Sequence, residues 1–121
     1  MNTVTWFEIP VEVFSRAKHF YSQVFDCQIP TQNIGSNFVG LLDFGQEQAV
    51  GAIIQGEGYI PSESGALIYL NVGGNMDAVL ERVSQKGGEI LLAKTPMPDG
   101  RGSYAVIKDS EGNKLGLNTS A

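Results

Sequence analysis

Residues 6–11 read WFEIPV, and residues 67–72 read LIYLNV. In each stretch the side chains alternate along the chain, which predicts a β-strand with one buried face. After each stretch come an amphipathic helical pattern and then three strand-like segments. A pattern that recurs along a chain indicates a repeated structural unit. The sequence therefore predicts two similar units of the form βαβββ.

The first unit is predicted to contain a strand at 4–11, a helix at 14–25 and strands at 28–32, 38–44 and 49–55. On the helix, the apolar side chains recur at intervals that place them on one face. These residues are Phe14, Ala17, Phe20, Tyr21 and Val24. A helix with one apolar face must bury it against another element. We expect this helix to lie on the sheet.

The second unit is predicted to have the same elements, with strands at 66–72, 89–93, 103–108 and 114–118 and a helix at 76–86. Asn75 is expected to cap this helix, because its side chain can accept a hydrogen bond from a free backbone N–H. Gly87 and Gly88 are expected to end it. The turn DSEGN at 109–113 is expected to join the last two strands as a hairpin.

The fold class that follows is α+β, in one domain at 1–121. Its two tandem βαβββ modules, 1–56 and 65–121, are expected to form a cupped mixed sheet with the helices on the outer face. The segment 56–65 contains Pro61 and two serines and is predicted to be the linker. A chain of 121 residues can bury one substantial core but not two.

Composition excludes several classes of partner. The net charge is −5 and no cluster of lysine or arginine is present, which argues against nucleic acid and anionic membranes. No apolar run is long enough to span a bilayer, and no signal peptide is expected before the first strand. Cys27 is the only cysteine, so no disulfide can form within the chain. A reducing, cytoplasmic location is therefore predicted.

These segments, in this order, resemble the vicinal-oxygen-chelate (VOC) superfamily of glyoxalase I, bleomycin-resistance proteins and dioxygenases. The matching stretches are WFEIPV at 6–11, Arg16-Ala17 with Phe20-Tyr21, Val24-Phe25, LNV at 70–72, GGE at 87–89 and DSEGNKLGL at 109–117. One departure is Asp26, where the family usually has a glycine in the left-handed conformation. Aspartate tolerates that conformation better than most residues. One fold hosts many functions, so the resemblance does not specify an activity.

The resemblance implies a divalent metal held by one His, Gln or Glu from each of four strands. The corresponding positions here are Trp6, Gly51, Leu67 and Gly116. None has a side-chain donor for a divalent ion. We therefore predict a member without the metal site and without a cofactor, which is neither a metal-dependent glyoxalase I nor an extradiol dioxygenase. The only histidine, His19, is expected to be solvated on the first helix.

Strand alternation divides the remaining residues between two faces. The side chains expected to face the helices are Phe7, Ile9, Ile68, Leu70, Leu115 and Leu117. Those expected to face the cavity and bind a ligand are Trp6, Glu8, Gly51, Ile53, Leu67, Tyr69, Gly116 and Asn118, with Phe38 and Tyr104 on paired strands. The glycines are expected to leave open volume. A Glu8 carboxyl buried among aromatic rings would have a raised pKa.

The loop at 94–102, KTPMPDGRG, is expected at the mouth of the cavity. As a lid, it would bring Met97 to the ligand and let Arg101 hold a carboxylate or phosphate. The alternative is a plain solvated loop. A second alternative concerns the cavity itself, which is either an open pocket or filled by Trp6 and Tyr69.

Three functions follow from this reading. The first is binding of a small, partly aromatic molecule in the sheet cavity. Resemblance to bleomycin-resistance proteins, which bind in grooves between subunits, implies a homodimer, and open edge strands give a physical reason to pair. The second is a metal-independent isomerase or lyase that uses Glu8 or Tyr69 as acid or base. The third is a scaffold that binds a protein partner.

Overall fold

The computed structural model describes residues 3–119, which form two four-stranded sheets and two helices. The first module consists of β1 (Phe7–Pro10), α1 (Phe14–Val24), β2 (Thr31–Ile34), β3 (Asn37–Leu42) and β4 (Gly51–Gln55). The second consists of β5 (Tyr69–Asn71), α2 (Met76–Gln85), β6 (Glu89–Pro96), β7 (Ser103–Lys108) and β8 (Lys114–Thr119). The predicted α+β fold with two tandem βαβββ modules is confirmed.

The two sheets have the same topology. The first has the strand order β1-β4-β3-β2 and the second the order β5-β8-β7-β6. In each, the first strand of the module pairs in parallel with the last, and the other pairs are antiparallel. The recurrence of WFEIPV as LIYLNV therefore reflects a repeat of the whole module.

Several strand boundaries differ from the prediction by up to three residues; β1 and β5, for example, are shorter than the predicted strands at 4–11 and 66–72. We expected a strand at 28–32, but β2 is Thr31–Ile34. The reason lies at Pro30, whose carbonyl oxygen accepts a hydrogen bond from Leu41 N at 2.8 Å. Proline has no N–H to donate, so the regular ladder begins after it. We also expected β6 to end near residue 93, whereas it continues to Pro96 with two shifts of register against β7.

One hydrophobic core lies between the helices and the sheets. All five apolar residues of the predicted α1 face are buried, as are Met76, Val79, Leu80 and Val83 of α2. Both helices and both sheets contribute to the same cluster of buried side chains. The residues predicted to face the helices join it: Ile9, Leu70, Leu115 and Leu117 are buried, and Phe7 and Ile68 pack against them. That part of the core prediction is confirmed.

The local signals at the helix ends are also confirmed. The Asn75 side chain accepts a hydrogen bond from Ala78 N at 3.3 Å. Gly87, after α2, has φ +104°, and Asp26, after α1, has φ +50° in the left-handed region. His19 lies exposed on α1. Within residues 3–119, neither helix is long and apolar enough to cross a membrane.

The β3–β4 hairpin faces the opposite way from the prediction. Gly51 pairs with Phe7 and Ile53 with Ile9, so Gly51 and Ile53 share the helix-facing side of the first sheet with them. Phe38 also lies on that side, with its ring 5.8 Å from that of Phe14 on α1. Because side chains alternate with a period of two, an alignment error of one residue reverses the face of every residue in the hairpin.

The residues of this hairpin that do lie away from the helices form a smaller apolar cluster. Val39, Ala52 and Ile54 are buried there, and Leu41 and Tyr59 pack against them. Glu8 pairs with Ala52, so Glu8 lies on this side of the sheet. Glu8 therefore lies on the predicted side of the sheet, whereas Gly51, Ile53 and Phe38 lie on the opposite side from the one predicted.

The DSEGN turn between β7 and β8 binds the two modules together. The Glu111 carboxylate accepts hydrogen bonds from Val13 N at 2.8 Å and Arg16 Nε at 2.7 Å, at the beginning of α1. Asp109 accepts one from the buried Tyr21 hydroxyl at 2.6 Å. Asn113 Nδ2 donates to the carbonyl oxygen of Pro10 at 2.7 Å. The turn that carries much of the family resemblance therefore has a structural role here.

Candidate functional site

The side of the second sheet that faces away from the helices carries two tyrosines. In the register, Tyr69 pairs with Gly116 and Tyr104 with Asn118, and these residues lie on one face. The two tyrosine rings meet edge to face with centroids 6.4 Å apart. With Met97 and Pro98 they line a cleft of about 480 Å³, which we call the Tyr69–Tyr104 cleft.

Gly116 does not leave the open volume that we predicted. A Cβ added there would collide with the ring of Tyr69. The ring therefore lies against the glycine and fills the space at one of the four family ligand positions. Tyr69 is nevertheless 48% exposed. The sheet is filled at Gly116, but its outer aromatic face stays accessible.

On the first sheet, Glu8 is the centre of a small polar group. Glu8 accepts a hydrogen bond from Trp6 Nε1 at 3.4 Å and another from the Tyr59 hydroxyl at 3.2 Å. The hydrogen bond to Glu8 raises the pKa of the Tyr59 phenol. Glu8 is exposed and is not buried among aromatic rings. We call these three residues the Glu8 cluster.

The hydrogen-bond partners of Glu8 are Trp6 and Tyr59 rather than Tyr69 or Asn118 of the second sheet. Asn118 instead donates to the Ser103 carbonyl oxygen at 3.3 Å. Tyr59 was missed because it lies in the linker, where no periodicity predicts which way a side chain points. The only available signal was an aromatic residue in a segment otherwise rich in Gly, Pro and Ser.

The loop after β6 brings one of its two candidate residues to the site. Met97 lines the Tyr69–Tyr104 cleft. Arg101 is 81% exposed in its side chain and pairs with Asp99 at 3.0 Å. Leu67 is 40% exposed and lies near Ser62 and Lys114, in a different small cleft. The single chain thus gathers Tyr69, Tyr104, Asn118 and Met97, and separately gathers Trp6 with Glu8.

The positions that correspond to the family's metal ligands hold no cluster of donors. In the observed register the equivalent of Gly116 in the first module is Ala52 and not Gly51, because Ala52 pairs with Glu8 as Gly116 pairs with Tyr69. A methyl group offers no donor atom either. In the described part of the chain, no three His, Cys, Asp or Glu side chains converge as a metal site would require.

Comparison with known families identifies the fold. The family model described as Glyoxalase/Bleomycin resistance protein/Dioxygenase superfamily matches residues 3–117. The chain belongs to this superfamily. The match covers both modules, so the resemblance carried by WFEIPV and DSEGNKLGL is confirmed.

Several solved structures are similar over nearly the whole chain. The hypothetical protein SA1046 from S. aureus is 17% identical, with a TM-score of 0.69 over 98% of this chain and 94% of that one. Fosfomycin resistance protein FosX from Mesorhizobium loti is 20% identical, with a TM-score of 0.68 over 100% and 94%. At these identities the likeness shows the fold alone.

A glyoxalase I mutant from Zea mays is also similar, at 20% identity and a TM-score of 0.71. The match covers 95% of this chain but 46% of the maize chain, so this chain spans about half the length of that relative. No match was found among curated proteins.

Proposed function

We propose that this chain is a metal-free member of the superfamily that binds a small, partly aromatic molecule in the cavity of its sheets, on the side turned away from the helices. The observation that carries the proposal is the Tyr69–Tyr104 cleft. Two accessible aromatic rings, a methionine and one amide are the mixture of apolar wall and sparse polar anchor that small-molecule sites have. Stacking on Tyr104 and a hydrogen bond to Asn118 would orient an aromatic ligand.

The proposal includes a homodimer in the cytoplasm. On its side turned away from the helices, which we call the open face, the second sheet exposes the large apolar side chains of Leu67 and Tyr69, and apolar exposure marks surfaces that bind something. The edge strands β2 and β6 each have one unpaired side, which a second copy can cover. Among the structural neighbours are proteins named for fosfomycin resistance, which is consistent with a small-molecule ligand.

The test is a thermal-shift screen of aromatic and cationic compounds with a matched pair of variants. A ligand at one hundred times its Kd adds about 2.7 kcal/mol of stability, which is readily measured. Tyr104→Leu should abolish the shift. Phe38→Leu is the control, because Phe38 is an exposed aromatic residue on the helix side of the other sheet. It should leave the shift intact.

Two outcomes would refute the binding proposal. One is the absence of stabilisation across a broad library. The other is an equal loss of the shift in Tyr104→Leu and Phe38→Leu, since a ligand that depends on both rings cannot sit in the Tyr69–Tyr104 cleft alone.

A second candidate, a metal-independent isomerase or lyase, rests on the Glu8 cluster. Glu8 is an exposed carboxylate with a phenol donor at 3.2 Å, so an acid and a base are adjacent. Tyr69 is the other candidate for an acid or base. Glu8→Gln should then abolish turnover while leaving the melting temperature nearly unchanged. Turnover that survives Glu8→Gln and Tyr69→Phe would rule out this function.

A further inference from the structure

A second cleft lies where the two modules meet and is lined by residues of both, including residues of α2. It has a volume of about 560 Å³ and is distinct from the Tyr69–Tyr104 cleft, although Tyr69 borders both. Its apolar wall includes Phe25, Phe44 and Val79, and its polar lining includes Asn71, Asn75 and Arg82. We call it the junction cleft.

The charge of this cleft is opposite to that of the chain. Among residues 3–119, Arg82 is the only charged residue that lines it, in a protein of net charge −5. Other clefts are lined by carboxylates, such as Glu12, Glu57 and Glu111 in one and Glu8 in another. The junction cleft is therefore suited to an anion.

Arg82 is held in place without being neutralised. Its Nε donates to the carbonyl oxygen of Val24 at 2.8 Å, at the end of α1, and the residue is half-buried. Arg16 pairs with Glu111 and Arg101 with Asp99, whereas Arg82 has no carboxylate partner among residues 3–119. A fixed guanidinium with free terminal N–H groups can bind a carboxylate through two hydrogen bonds.

The aromatic wall contains a strained residue. Phe44 has φ +50°, a left-handed conformation that is strained for residues other than glycine. Its ring meets that of Phe25 edge to face at 5.3 Å. The next residue, Gly45, also has positive φ. Strain of this kind persists where the surrounding structure holds the residue in place. Here the residue so held places a phenyl ring at the wall of the cleft.

We propose that the junction cleft binds a small aromatic carboxylate. The ring would pack against Phe44 and Val79, and the carboxylate would pair with the guanidinium of Arg82. Asn75 caps α2 and Arg82 lies within it, and both border the cleft. This site is independent of the ligand proposed for the Tyr69–Tyr104 cleft.

The probe is phenylpropionate, titrated into the whole chain and followed by backbone amide NMR spectra. The matched controls are phenylpropionamide, which keeps the ring without the charge, and propionate, which keeps the charge without the ring. We expect the largest shifts at Phe44, Asn71, Val79 and Arg82. Both controls should bind at least about ten-fold more weakly, because a charge-assisted hydrogen bond and a buried ring each contribute more than 1.4 kcal/mol.

Two variants locate the charge. Arg82→Gln should weaken phenylpropionate binding by roughly ten-fold or more, the effect of one charge-assisted pair. Arg101→Gln is the control, since that arginine is exposed and already paired with Asp99. It should leave the affinity unchanged. If Arg82→Gln does not fold, Phe44→Gly serves instead, because glycine suits φ +50° and the ring is lost.

The proposal fails on any of three results. Phenylpropionamide that binds as tightly as phenylpropionate would show that no cation is used. Shifts confined to Met97 and Tyr104 would place the anion in the other cleft. An affinity for phenylpropionate that is unchanged in Arg82→Gln, or in Phe44→Gly where that variant is used, would show that the residue does not take part in binding.

Discussion

At the scale of single residues, a glycine beneath an aromatic ring recurs in both modules. A Cβ at Gly116 would collide with Tyr69, and a Cβ at Gly51 would lie 2.6 Å from the ring of Phe7. In each case the ring belongs to the residue directly paired with the glycine on the neighbouring strand. The ring covers backbone that the glycine leaves bare. On the second sheet this arrangement shapes the floor of the proposed binding site.

Gly116→Ala should therefore destabilise the protein. Forcing a methyl group against Tyr69 is overpacking, which costs about 1–3 kcal/mol. Urea denaturation measures the change. Gly116→Ala should lower the free energy of unfolding less in a Tyr69→Ala background than in the wild type, because the ring that the methyl group would strike is gone.

Gly74→Ala is the control for that substitution. Among the residues that the structure describes, none lies within 4 Å of a Cβ added at Gly74, and the backbone there is not left-handed. Its stability should change by less than about 0.5 kcal/mol. If Gly116→Ala and Gly74→Ala lowered the free energy of unfolding equally, the contact between Gly116 and Tyr69 would not contribute to stability as proposed.

At the scale of elements, α1 begins without a capping side chain of its own. Val13 precedes it and offers no side-chain acceptor. Glu111 instead accepts from Glu12 N and Val13 N, and Gln55 accepts from Phe14 N at 2.6 Å. Burial alone would raise the pKa of Glu111, but hydrogen bonds from Arg16, Val13 N and Ser110 outweigh it and lower the pKa. The first helix is thus completed by residues of β4 and of the β7–β8 turn.

Glu111→Gln should lower the free energy of unfolding at neutral pH by about 1.5–3 kcal/mol, the range for hydrogen bonds to a charged group. Because the folded pKa lies below the unfolded value of about 4.3, this contribution is fully present above that value. It is lost as the pH falls through the folded pKa. Denaturation from about pH 7 to pH 3 should show the gap between wild type and variant narrowing below about pH 4.

The control for this pH series is Glu63→Gln. Glu63 pairs with Lys108 at 3.2 Å, and its side chain is 58% exposed. Exposed ion pairs contribute about 0–1 kcal/mol, so this variant should follow the wild type. A gap for Glu111→Gln that stayed constant down to pH 3 would contradict the role of its carboxylate.

The sequence was sufficient for the helices, the turns and most of the topology. Helical periodicity identified the buried face of α1, and Asn75 and Gly87 bracket α2 through local chemistry alone. The faces of β3 and β4 could not be obtained in this way. Gly51, Ala52, Ile53 and Ile54 are all buried, so no alternation marks which side chain faces which side. The loop between these strands then decides the register, and its length differs from that of the DSEGN turn.

The candidate site was predicted in part for the same reason. Tyr69, Tyr104, Gly116 and Asn118 lie on strands of the second sheet, where polar and apolar residues alternate, and they were placed on the correct face. Phe38, Gly51 and Ile53 lie on the hairpin that lacks alternation and were placed on the wrong one. The pairing of Arg101 with Asp99 depends on a loop conformation that no periodicity encodes.

At the scale of the molecule, the open face of the second sheet should be partly covered by a second copy. Leu67 and Tyr69 expose 40% and 48% of their surfaces on the second module. Sedimentation equilibrium should therefore give twice the chain mass of 13.0 kDa. Leu67→Lys should shift the equilibrium toward the single chain, because a charge at an apolar interface loses its hydration.

Val13→Lys is the matched control for association. Val13 is also 40% exposed, but it lies at the beginning of α1, away from the open face. It should leave the dimer intact. A mass of one chain for the wild type would exclude the homodimer.

The bonds between the DSEGN turn and the first module also order events during synthesis. Asn113 donates to Pro10 across 103 positions of sequence, and Glu111 reaches Val13 across 98. During synthesis the first module leaves the ribosomal exit tunnel before Glu111 and Asn113 do. Until they follow, its helix lacks the cap from Glu111 and the core lacks the side chains of the second module. Such distant closure slows folding. We expect the nascent first module to stay sensitive to protease until residue 113 has emerged, and then to become resistant together with the second.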